Sequence, residues 1–365
     1  MNTKLQKISE WMKGQNLDIC FITSPENVFY LSGFLSDPHE RLLALAVFKD
    51  SEPFLVVPSM EKEDAKNSGW SQEIIGYTDI ENPWDLVQKS INKRISSTES
   101  VAIEKEHMNV ERYEELLKLF PNATFVSAEE KLRKLRMVKN EKELTILKEA
   151  CALADYAVEV GCQELAEGKT ELDIIAAIEF ALKKKGVTQM SFSTMVLTGA
   201  NAASPHGTPG LTQIKKGDLV LFDLGVVVDG YCSDITRTVA FGEVSDKQKE
   251  IYDTVLKSQL AAIDAVKPGV TCAEVDLASR NLIRDAGFGE YFPHRLGHGL
   301  GISIHEYPSV TETNSLVLEQ GMVFTIEPGI YVPNVAGVRI EDDVYVTENG
   351  VEILTKFPKE LQVIR

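Results

Sequence analysis

Phe-Asp-Leu-Gly-Val-Val-Val-Asp-Gly-Tyr-Cys-Ser-Asp-Ile-Thr-Arg-Thr, residues 222–238, reads as a β-hairpin that turns at Asp229-Gly230. An Asp-Gly pair between apolar runs suits a type I′ turn, which needs positive φ at both central residues. With those two residues as the loop, Val228 pairs with Tyr231, Gly225 with Asp234 and Asp223 with Thr236. Side chains repeat every two residues, so Asp223, Gly225, Asp234 and Thr236 share one face. Asp223 and Asp234 become diagonal neighbours with Cβ atoms roughly 7 Å apart. Two carboxylates so placed repel unless a cation lies between them. A hairpin with both acids in solvent fits this stretch equally well; the segments downstream decide.

Those segments supply more acids and an imidazole. His-Arg-Leu-Gly-His-Gly-Leu-Gly-Ile-Ser-Ile-His-Glu (294–306) sets His298 among glycines, with His305 beyond. Thr-Ile-Glu-Pro-Gly (325–329) puts Glu327 at the end of the apolar run from Gly321 to Ile326. Gly-Val-Arg-Ile-Glu-Asp-Asp-Val-Tyr-Val (337–346) alternates as one strand, with Val338, Ile340 and Asp342 on one face and Arg339, Glu341 and Asp343 on the other. An acid in an apolar β segment is badly placed unless it is paired or binds metal. Asp223, Asp234, His298, Glu327 and Glu341 together offer four carboxylates and one imidazole. Four negative charges balance two divalent cations, and oxygen-rich ligation suits Mn²⁺ better than a thiolate-type zinc site. Such a pair of metals lowers the pKa of a shared water and polarises a carbonyl, which is hydrolytic chemistry.

Through these residues the chain resembles the pita-bread metallopeptidases, the group of methionine aminopeptidase, aminopeptidase P and proline dipeptidase, and within it the bacterial Xaa-Pro dipeptidases. The likeness also covers Ser-Pro-Glu-Asn-Val-Phe-Tyr-Leu-Ser-Gly-Phe (24–34), Ser-Asp-Pro-His-Glu-Arg (36–41) and Pro-His-Gly (205–207). It implies an α/β amino-terminal domain (1–128) followed by an α+β pita-bread, creatinase/aminopeptidase-like catalytic domain (129–365). It implies hydrolysis of the Xaa-Pro bond in dipeptides, with release of proline. The cofactors would be two divalent ions, Mn²⁺ first, with Co²⁺ and Zn²⁺ as alternatives. One ion would take Asp223, Asp234 and Glu341, the other Asp234, His298, Glu327 and Glu341. Glu327 is then the proton shuttle, and His206 and His305 stabilise the tetrahedral intermediate. The resemblance further implies a homodimer.

Other positions read two ways. Arg339 shares a face with Glu341, so it is either a salt-bridge partner or a fork for a substrate carboxylate. His294, four residues before His298, is a supporting residue of the site or a structural one. Some prolidases carry arginine where Ser309 stands here; if that arginine anchors substrate, its role passes in this chain to Arg295 or Arg339, or affinity is lower. The loop Asp37-Pro38-His39-Glu40-Arg41 is a solvated turn or a lid that carries His39 to a neighbouring subunit's site. A strand running straight from His298 to His305 would set them on opposite faces, so a bend is expected if both reach one site. His107 reads as an inert loop residue.

A net charge of −17 argues against nucleic acid or anionic membrane as a partner, since both need basic patches. The start of the chain lacks a signal-peptide core, and the run from Leu42 to Phe48 is far too short to cross a bilayer. The five cysteines are scattered without a Cys-x-x-Cys pair, as in a reduced cytoplasmic protein. Cys151 and Cys162 sit about three turns apart on one predicted helix, too far for a disulfide. The rivals are aminopeptidase P, which shares all five ligands, and a catalytically silent binding protein on the same fold. Methionine aminopeptidase needs no α/β domain of this kind, and the full ligand set argues against metal-free creatinase-like hydrolysis.

Overall fold

The computed structural model describes residues 3–204 and 207–365. The chain forms two compact units, Met1–Arg136 and Met137–Arg365. The first holds a six-stranded sheet in the order Glu73–Tyr77, Phe54–Pro58, Ala44–Phe48, Ile19–Ile22, Ser100–Ile103, Thr124–Ser127. Ile19–Ile22 runs antiparallel to Ala44–Phe48 and parallel to Ser100–Ile103, so the sheet is mixed. Every residue of Ile19–Ile22, Ala44–Phe48 and Phe54–Pro58 is buried. Their unbroken apolar runs demand cover on both faces.

Turn and cap chemistry set the helix limits. The short helix Pro25–Ser32 starts where it does because Ser24 accepts from the Asn27 N–H and Pro25 opens the first turn. A 3₁₀ turn, Ser59–Glu61, leads into the short helix Lys62–Asn67. The helix Glu129–Met137 ends at the division between the units.

In the second unit, four helices pack in pairs. Glu141–Glu164 and Glu171–Lys184 cover a four-stranded sheet ordered Val363–Ile364, Ile235–Phe241, Asp218–Leu224, Met195–Thr198. Asp246–Ala265 and Cys272–Asp285 enclose a second core with strands of a five-stranded sheet. That sheet runs Glu306–Val310, Gly297–Gly299, Val323–Ile326, Asp342–Val346, Val351–Ile353. All four helices start with reciprocal capping boxes, including Asn140 with Glu143. Cys151 and Cys162 lie on one helix, and all five cysteines are free and buried. Among the described residues no helix is long and apolar enough to cross a membrane.

One strand departs from the sequence reading. Residues 337–346 are not continuous: Ala336–Arg339 pairs with Gly329–Val332, and Asp342–Val346 pairs with Val323–Ile326. The chain changes sheets at Ile340 and Glu341. There the Glu341 N–H donates to the Thr236 carbonyl at 3.0 Å, tying the bend to the hairpin strand. Alternation survives a bend that keeps both halves extended, so the pattern alone did not show it.

Candidate active site

The hairpin forms in the register read from its turn. Tyr231 pairs with Val228 and Thr236 with Asp223, while Asp229 and Gly230 take φ of 46° and 81°. Gly225 is required opposite Asp234, since a Cβ there would lie 1.8 Å from the Ser233 carbonyl oxygen. The strand carrying His298 is similarly close, because a Cβ on Gly297 would meet the Thr325 carbonyl oxygen at 1.9 Å. A register shift between His298 and Gly299 bends this segment. The His298 and His305 rings come edge to face with centroids 4.3 Å apart, so the expected bend is present.

Asp223, Asp234, His298, Glu327 and Glu341 line one cavity of about 630 Å³, together with His294, Arg295, His305 and Arg339. Phe192, Met195, Pro293, Ile304 and Tyr331 form its apolar lining. His206 lies outside the described residues. His39 belongs to the first unit, where it is exposed, with a φ of 57° and Nδ1 3.8 Å from Asp37.

Donor atoms of Asp234, His298 and Glu341 fall within 4.8 Å of one another, and all three residues are buried. His298 Nδ1 sits 3.1 Å from the Gly299 carbonyl, which can only accept, so Nδ1 carries the ring proton. Nε2 therefore turns a lone pair toward Glu327 Oε1 at 3.3 Å and Asp234 Oδ2 at 3.7 Å. Burial, reinforced by His305, lowers the His298 pKa to about 3, which keeps the ring neutral. Asp234 Oδ1 is buried with no hydrogen-bond partner among the described residues. A lone pair facing two carboxylates beside an unpartnered oxygen is the arrangement a cation completes, so these residues fit a metal centre.

The acids show the same frustration. Burial first, then neighbouring carboxylates, pushes Asp234 and Glu341 well above the usual range. Burial raises Asp223 against the pull of Arg339, and raises Glu327 to about 7. Because the folded Glu327 holds its proton above the ordinary 4.5, the metal-free fold loses stability as pH rises from 4.5 toward 7. Glu327→Gln removes that loss. In chelator, calorimetry should show the variant's Tm rising relative to the parent's between about pH 5 and about pH 8. A pH-independent difference would contradict the assignment.

The two arginines of the cavity differ. Arg339 is buried; its Nη2 pairs with Asp223, its Nε donates to Thr236 Oγ1 at 3.0 Å and its Nη1 to the Tyr331 hydroxyl at 2.8 Å. This is the salt bridge that the sequence left open beside the carboxylate fork. Arg295 is half-buried on the cavity wall, and its guanidinium has no ion-pair or hydrogen-bond partner among the described residues. Tyr331 carried no spacing signal in the sequence. It links Arg339 to His294, whose Nδ1 lies 2.8 Å from the Arg295 carbonyl and Nε2 3.1 Å from the Tyr331 hydroxyl.

Comparison with known proteins agrees with this architecture. Residues 145–348 match the metallopeptidase family M24, and residues 4–138 match the creatinase/prolidase N-terminal domain. YkvY of Bacillus subtilis (strain 168) is 54% identical over 99% of this chain and 99% of its own. The prolidase from Pyrococcus horikoshii OT3 superposes with a TM-score of 0.91 at 38% identity, over 99% of this chain and all of that one (100%). The Xaa-Pro dipeptidase from Bacillus anthracis gives 0.92 at 35%, over 99% of each chain. With both domains matched in order and the whole length covered by such relatives, the chain belongs to metallopeptidase family M24 and has the pita-bread fold behind a creatinase/prolidase N-terminal domain.

Proposed function

We propose that the protein is a two-metal dipeptidase that cleaves Xaa-Pro and releases proline. The observation that carries this reading is the deprotonated His298 Nε2 aimed at two carboxylates, in a cavity whose wall holds an arginine unpaired among the described residues. Asp223, Asp234 and Glu341 would hold one ion, and Asp234, His298, Glu327 and Glu341 the other, with Mn²⁺ the expected metal. Bound there, the ions would supply an activated water and a Lewis acid for the scissile carbonyl.

The chain's own groups do the rest. Glu327, with Thr325 Oγ1 donating to its Oε1 at 3.1 Å, is placed to take a proton and return it to the leaving imino nitrogen. His305, lowered by burial and by Arg295, is a neutral donor for the oxygen that becomes negative. His206 is assigned the same task from its motif. The apolar lining receives the proline ring, whose tertiary amide offers no N–H to bond. Arg295 is assigned the proline carboxylate, because Arg339 is already committed to Asp223. A free carboxylate one residue past the scissile bond marks a dipeptide.

Chelation is expected to abolish hydrolysis of Xaa-Pro, with Mn²⁺ or Co²⁺ restoring it better than Mg²⁺. Full activity of a metal-free preparation would sink the mechanism. Faster cleavage of Xaa-Pro-Yaa than of Xaa-Pro by the reconstituted protein would favour an aminopeptidase instead.

A further inference from the structure

Asp343 is fully buried on the strand Asp342–Val346, two residues after Glu341. Its neighbour Asp342 has cations at hand, Arg237 at 2.7 Å and Lys359 at 3.0 Å. Asp343 has no ion-pair partner among the described residues. Its Oδ2 accepts from the Asp234 backbone N–H at 2.9 Å and from the Cys151 thiol at 3.3 Å. Its Oδ1 has no hydrogen-bond partner among the described residues. Burying a carboxylate without a cation is costly, so its one strong contact calls for explanation.

That contact falls where the hairpin leaves a donor over. Counting outward from the Val228–Tyr231 pair, Asp234 stands opposite Gly225 at a non-hydrogen-bonded site of the ladder, so its N–H points away from the partner strand. The same outward edge is used two residues on, where the Thr236 carbonyl accepts from the Glu341 N–H. At Asp234 the acceptor is instead a side chain from the strand that follows Glu341. Asp343 thus joins the backbone of one metal-facing acid to the strand that directly follows another.

We propose that Asp343 is a positioning residue for the metal centre: it holds the Asp234 backbone, and with it the carboxylate, in register with Glu341. The inference rests on the metal-centre reading above. Asp343 does not face the cavity itself; without its acceptor, a buried N–H beside Asp234 is unsatisfied, and the local backbone must move to find one.

The test titrates Mn²⁺ into metal-free protein by calorimetry and follows Co²⁺ binding through its visible absorption, so no activity is needed. Asp343→Ala should weaken binding by about tenfold to a hundredfold, the range for loss of a group that orients a ligand. Asp343→Asn keeps an oxygen for the Asp234 N–H and should stay within about threefold of the parent. If Asp343→Ala does not fold by circular dichroism, Asp343→Ser, too short to reach the amide, takes its place with the same expected loss. Parental affinity in a folded Ala or Ser variant overturns the proposal, as does an Asn variant as weak as the Ala. Asp234→Asn is the control. Equal Mn²⁺ binding by it and by the parent would show that the metal-centre reading fails, independently of Asp343.

Discussion

Asp234→Asn or Glu341→Gln is expected to lower kcat/KM for an Xaa-Pro dipeptide by at least about a thousandfold. Lewis-acid stabilisation of this kind is worth several kcal/mol, at about one decade per 1.36 kcal/mol. Each of these acids is assigned to both ions, whereas His298 is assigned to one. The two acid variants should therefore also lose more metal than His298→Ala. Their positions are consistent with that order: Asp234, His298 and Glu341 are buried with donor atoms within 4.8 Å, so removing either acid opens the shared centre. Elemental analysis of the purified variants is the check. A histidine variant emptier than both would show that the two acids do not bridge.

Arg295→Ala should cost about tenfold to a hundredfold in kcat/KM on an Xaa-Pro acid, a charge-assisted hydrogen bond being worth roughly 1.5–3 kcal/mol. The same variant should lose much less on the corresponding Xaa-Pro-amide, which has no carboxylate to hold. Arg295→Lys keeps the charge without the planar fork and should fall between. Arg339→Ala is expected to behave differently and to damage both substrates alike, because its pairing with Asp223, Thr236 and Tyr331 serves the site itself. Preferential loss of acid hydrolysis by the Arg339 variant would reverse the assignment and make Arg339 the carboxylate fork.

The contrast between the arginines shows where sequence reading reaches its limit. Both lie in motifs shared with the pita-bread peptidases, and alternation along 337–346 set Arg339 beside Glu341. Neither periodicity nor motif tells which guanidinium is already occupied. Arg339 pairs with Asp223 across 116 residues of chain, and the competition among Asp223, Tyr331 and Thr236 for its donors is settled only when three segments meet. Asp343 is a similar case. Alternation set it on the Glu341 face, but it does not line the cavity that Glu341 lines, and its grip on an amide 109 residues away was not readable.

What the sequence determined by itself is what local chemistry dictates. The Asp229-Gly230 turn, with side chains alternating at period two, specified the hairpin register and placed Asp223 and Asp234 on one face. Asn140 with Glu143 specified the start of the long helix, and continuous apolar runs specified a sheet covered on both sides. Each of these rests on neighbours a few residues apart, where backbone sterics and one or two hydrogen bonds decide. Only the tertiary structure decided the change of sheet at Ile340 and Glu341, the meeting of the His298 and His305 rings, and the pairing of Arg339 with Asp223. Those outcomes depend on which buried donors and acceptors find one another across distant segments. That competition is governed by the cost of leaving a polar group unpaired in the interior, and no local pattern encodes it.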